Sequence, residues 1–153
     1  MQSPAGTVTR QLRGRIEPTT FNLVYLGLTL FYGGLAVSYL FDSARSVKHF
    51  SQLDELLGGP SIPNVDVPPW RYATVMGMAT LALMCLLLLI DLRRNYPLLA
   101  PAVFFKALNA ILWFVYWRQS DLPVFLFAGF VDIGLVALMV VVARREHARL
   151  EAT

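Results

Sequence analysis

The chain has 153 residues, 56% of them hydrophobic and 15% charged, with a mean hydropathy of +0.55 and a formal net charge of +3. A soluble domain of this size carries nearer ~25% charged residues, so the composition excludes an ordinary water-soluble fold and points to one membrane domain. The basic residues cluster beside apolar runs, which reports topology and argues against a nucleic-acid partner.

Residues 1–20 carry Ser3, Pro4, Gly6, Arg10, Arg13 and Arg15 with little periodicity, which predicts a mobile cytoplasmic tail. The apolar run 21–41 that follows lacks the short core and small-residue cleavage site of a signal peptide. It reads as a first span, with Glu17-Pro18-Thr19-Thr20 offering hydroxyl caps. Gly27 and Gly34 lie seven apart on one face, with Gly33 beside them. Together with Ala73 and Gly77 of the second span, they are expected to serve packing inside the bundle.

The connection 42–70 is long. Asp42 or Ser43 caps a predicted helix over 44–57, which Gly58-Gly59-Pro60 ends. Val47, Phe50, Leu53, Leu56 and Leu57 recur near helical spacing, while Arg45, Lys48, Gln52 and Glu55 take the other faces. This predicts an external amphipathic helix, lying on the bilayer or folded over the bundle mouth. Pro60, Pro63, Pro68 and Pro69 then predict an extended return to Trp70.

The second span is predicted over 72–90. It holds Cys85, the one cysteine, which excludes an internal disulfide and reads as a small apolar packing residue. A short connection, 91–96, leads to a third span over 98–117, with Pro97 in its first turn and Pro101 bending its entry. Residues 118–122 join it to a fourth span over 124–143, and 146–153 form a second cytoplasmic tail. Each run approaches the ~20 residues that cross the hydrocarbon core as helix. Short connections make consecutive helices antiparallel neighbours. The fold class is thus an all-α membrane protein: a four-transmembrane-helix antiparallel bundle over 21–145 with a short external amphipathic helix. Arg10, Arg13, Arg15, Arg93, Arg94, Arg144, Arg145 and Arg149 fall on one side, and Arg45, Lys48, Arg71 and Arg118 on the other. The positive-inside rule then places both termini in the cytoplasm, with Trp70, Tyr72, Tyr116 and Trp117 as interfacial aromatics opposite.

Two charges lie deep in these runs. Lys106, Asn109, Trp113 and Tyr116 form one stripe on the third helix, and Asp132 is the only ionisable residue inside the fourth. A charge in hydrocarbon costs at least ~2.5–3.5 kcal/mol, so it is usually paired, watered or functional. Counting outward from Ser120 brings Asp132 within roughly half a turn of the depth of Lys106. A Lys106–Asp132 pair assisted by Asn109 is therefore expected, and Tyr25, Thr29, Tyr32, Ser38, Thr74 and Thr80 are candidates to face it. Three readings stand: Lys106 snorkels and Asp132 is protonated, the pair is a structural bridge, or it serves a ligand, ion or proton. The bridge is slightly favoured. His49 and His147 fall in predicted loops or tails, so a bis-histidine haem and Ser/His/Asp catalysis are excluded. No metal-ligand spacing, P-loop or dinucleotide-binding pattern occurs.

The stretches GLTLFYGGLAVSYLFD, LGGP, DLRRNYPLL, FFKALNAILWF and FVDIGLVALMVVVARR, in that order from about Tyr25 to Arg145, resemble the DoxX-like group of small four-helix bacterial membrane proteins. The resemblance implies an accessory role in a bacterial inner membrane, in some members linked with quinone or thiol redox systems. It carries over no catalytic residue, and the acidic residue common in the group's second span has no counterpart here before Asp91. The expectation is a non-enzymatic accessory or interaction protein that meets the bilayer and a membrane partner or a second copy of itself. It needs no cofactor, though a quinone or lipid ligand is admitted. The alternatives are a small membrane oxidoreductase component or enzyme acting on a quinone- or lipid-like molecule and, more weakly, a transporter subunit.

Overall fold

Within hydrocarbon every backbone N–H and C=O must find its partner inside the segment, so long apolar runs fold as helix. The computed structural model describes residues 19–60, 62 and 68–152, without the side chains of 43, 45, 46 and 68–70. Among the described residues all regular structure is helical. Four helices are long and apolar enough to cross a membrane, which makes this a multi-pass membrane protein. They lie in α1 (Thr20–Phe41), α3 (Pro68–Ile90), α5 (Leu99–Ser120) and α6 (Pro123–Glu151). Between them lie α2 (Ser43–Leu56) and the single turn α4 (Leu92–Asn95), which runs into a 3₁₀ turn over Tyr96–Leu98.

Local chemistry sets the ends. Thr19 caps α1, its hydroxyl accepting from the Asn22 N–H at 3.2 Å, and Asp91 caps α4 in the same way from Arg94. Asp121 closes α5 in the left-handed region, φ 54°, which a short polar side chain tolerates. The C-terminus of α2 is a Schellman motif. Gly58 takes φ 85° and donates to the Glu55 carbonyl at 3.1 Å, while Gly59 donates to Asp54 at 2.8 Å.

The long helices pack mainly as two couples, α1 on α3 and α5 on α6, with narrower contacts joining the couples. Phe21, Tyr25, Leu28 and Tyr32 of α1 meet Leu81, Cys85 and Leu88 of α3, together with Ala102, Met139, Val142 and Ala143. Tyr25 links the couples directly, donating to the Met139 carbonyl of α6 at 3.0 Å. The outer surface is apolar: Leu30, Met76, Phe104 and Phe130 are 66%, 70%, 68% and 61% exposed. Such a surface suits hydrocarbon and not water.

Several expectations change. The backbone of Pro68–Trp70 is helical and not an extended return, because a helix's first turn has no intrahelical use for the N–H that proline lacks. The last helix runs on to Glu151 where a tail was expected at 146–153. Glu146–Arg149 at 2.7 Å, His147–Glu151 at 3.2 Å and the stack of His147 on Tyr96 at 3.9 Å hold this extension. Gly27 and Gly34 meet nothing within 4 Å of an added Cβ, so they do not serve packing between the described helices. The buried face of α1 is Phe21–Tyr25–Leu28–Tyr32–Ala36, a different stripe. Gly77 does serve such packing, since a Cβ there would stand 2.9 Å from the Phe105 ring. Of the tail expected over 1–20, residues 1–18 lie outside the described residues, as do the prolines' return over 63–67 and the Trp70 side chain, while Thr19 and Thr20 cap and begin α1.

Candidate functional site

α5 and α6 present their polar residues to each other. Lys106 and Asp132 form a direct ion pair, Nζ to Oδ1, with 4% and 8% of their side chains exposed. Asn109, one turn along α5, donates its amide to the other Asp132 oxygen at 2.6 Å. Both carboxylate oxygens are thus engaged by charged or amide donors, the condition for a buried charge to be tolerated. Asp132 lies about 13 Å along α6 from Pro123, well inside the apolar stretch of that helix. The Lys106 ammonium thus meets its counter-charge on the neighbouring helix. From α1, the Tyr32 ring lies 5.2 Å from Nζ, a cation–π contact that brings a third helix to the centre.

The other expected members sit elsewhere. Trp113 stacks on Phe125 at 5.4 Å, and Tyr116 meets the same ring edge-on at 4.7 Å, so the lower half of the stripe is an aromatic cluster. Tyr25 is engaged by Met139, and Thr29 donates back to the Tyr25 carbonyl of its own helix at 2.7 Å. Thr80 is exposed.

A second buried carboxylate went unnoticed in the sequence. Asp54 of α2 is 0% exposed, and its Oδ1 accepts from the Val124 N–H at the start of α6 at 2.8 Å. α6 has Leu122 in its own cap position and Pro123 in its first turn, so its chain supplies no capping oxygen. Asp54 supplies one from a different helix, and its negative charge suits the positive end of the helix dipole. Gly59 covers this carboxylate so closely that an added Cβ would overlap it. Phe50, one turn before Asp54, lies 6.2 Å from Trp113. Ser51 accepts from the Ile62 N–H at 2.9 Å. The Asp54 and Phe50 contacts seat α2 against the adjoining ends of α5 and α6, and the Ser51 bond ties the following connection back onto α2. A signal for Asp54 was available: it continues the stripe Val47–Phe50–Asp54–Leu57, where a carboxylate interrupts apolar positions.

No protein-family model, curated protein or solved structure matches this chain. The chemistry must therefore be read from the site itself. The centre holds one cation, one anion, one amide and one phenol on three helices. It can fix the register of α5 against α6. The Tyr32 hydroxyl, fully buried, hydrogen-bonds no described group.

Proposed function

We propose that this chain is a non-enzymatic accessory or interaction protein of a bacterial inner membrane: an antiparallel four-helix bundle with both termini cytoplasmic and an amphipathic helix on the far side. The observation that carries the reading is the closure of the polar centre. The two Asp132 oxygens are taken by Lys106 and Asn109, and the pair is almost wholly buried. A catalytic carboxylate is ordinarily left an open side for substrate, whereas both oxygens of this one are engaged in joining helices. The flanking basic clusters support the orientation. The apolar outer face supports a life in lipid beside a membrane partner or a second copy. Membership of the DoxX-like group belongs to the same reading and rests on the stretches that resemble it.

The test replaces Lys106→Met and Asp132→Asn, singly and together, and follows thermal unfolding in detergent. Breaking a buried pair leaves an uncompensated charge and costs about 3–5 kcal/mol, whereas removing both charges is often nearly neutral. Destabilised single variants with a recovered double variant are expected. Single variants as stable as the parent overturn the bridge. Native mass spectrometry from gentle detergent is expected to show a protein or lipid travelling with the chain, and a clean apo monomer counts against the accessory role.

One observation favours a second reading, a small oxidoreductase component or enzyme acting on a quinone- or lipid-like molecule. The Tyr32 hydroxyl is a buried polar atom unengaged by described groups beside a buried ammonium. Such a pair of donors would suit a carbonyl oxygen.

A further inference from the structure

Tyr32 poses a question of hydrogen-bond accounting. Its side chain is 0% exposed, and no described group partners its hydroxyl. Nearly all buried hydroxyls have a partner, because the water they give up on burial must be replaced. The ring lies 5.2 Å from Lys106 Nζ, and the hydroxyl stands one bond beyond the ring. The hydroxyl and the ammonium make no direct hydrogen bond, and a single water can bridge two such neighbouring polar groups. The ammonium has three N–H donors, and its acceptor among the described residues is Asp132 Oδ1.

We propose that an internal water bridges the Tyr32 hydroxyl and the Lys106 ammonium, making a hydration site within the ion-pair centre. The water accepts one N–H from Lys106 and one O–H from Tyr32, and donates one of its own O–H groups to a free lone pair of the Asp132 carboxylate. Three bonds is the usual complement of a buried water. The inference rests on the Lys106–Asp132 pair of the preceding reading and adds a bound water to it. A bridging water would give the Lys106 N–H groups a route to exchange with solvent, and Tyr32 would hold that water in place.

The chain has two lysines, Lys48 and Lys106, so Lys48→Arg leaves one side-chain ammonium to observe. The experiment is water-edited solid-state NMR of the ¹⁵N-lysine-labelled Lys48→Arg protein in lipid bilayers, with and without Tyr32→Phe. Magnetisation is expected to pass from water to the Lys106 nitrogen, and to fall several-fold when the hydroxyl is removed and the ring kept. Equal transfer in both proteins overturns the proposal, and so does the absence of transfer in the parent. A Tyr32→Phe protein that melts higher than its parent also overturns it, because removing an orphan hydroxyl relieves a penalty while removing a bonded one does not. A ¹⁵N shift typical of a neutral amine removes the ion pair and the water site together. That failure is read from the shift and not from the transfer, so the two are told apart.

Discussion

Asp54→Ala tests the idea that α2 is seated by capping a helix other than its own. Two effects oppose each other. Loss of the Val124 N–H···Oδ1 bond removes an N-cap, worth about 1 kcal/mol, and leaves a buried donor unsatisfied for about 1–3 kcal/mol. Against this, Oδ2 has no hydrogen-bond partner among the described residues, and removing a half-satisfied buried carboxylate recovers part of the loss. The net expectation is a destabilisation of about 1–2 kcal/mol, or about 2–8 °C in melting temperature for a chain of this length. Asp54→Asn keeps the accepting oxygen and is expected to lose less than half as much. Thermal unfolding in detergent reads the global effect. Hydrogen–deuterium exchange over residues 43–60 reads the local one, where faster exchange is expected in Asp54→Ala. The two positions must also couple. Gly59→Ala drives a Cβ into the Asp54 carboxylate, so it is expected to destabilise the parent but cost much less in the Asp54→Ala background. Additive effects, or an Asp54→Ala protein with parental melting and exchange over 43–60, would refute the reasoning.

Tyr25→Phe removes a hydroxyl that ties α1 to the α6 backbone and is expected to cost about 1 kcal/mol, visible as a lowered melting temperature. Gly77→Ala presses a methyl against Phe105 and is expected to cost about 1–3 kcal/mol, whereas Gly27→Ala and Gly34→Ala meet open space and are expected to be neutral. The same melting series reads all three, and a Gly77 variant as stable as the Gly27 variant contradicts the close approach of α3 and α5. Cys85 is 0% exposed against α1, so a maleimide is expected to label the chain only after unfolding in strong detergent. Rapid labelling of the folded protein refutes the α1–α3 couple.

The four apolar runs, the presence of α2 and the two interior charges were legible in the sequence for a simple reason. Hydropathy acts locally, and a backbone in hydrocarbon has helix as its natural solution. The Lys106–Asp132–Asn109 group was legible too, because a short connection between helices of known rise converts sequence distance into depth. Trp113 and Tyr116 shared that stripe but not its chemistry. Periodicity gives the face of a helix and not the neighbour that arrives at each level, and at theirs the neighbour is Phe125.

Sequence alone determined that this is a multi-pass helical membrane protein with two charges inside its apolar runs. Tertiary structure decided what each surface meets. It left Gly27 and Gly34 unused between the described helices and placed Gly77 against Phe105. It carried Asp54 across 70 positions to Val124, and Tyr25 across 114 to Met139. The physical reason is that helix formation in lipid needs only the segment itself, whereas a buried polar group must be answered by whichever helix packs against it.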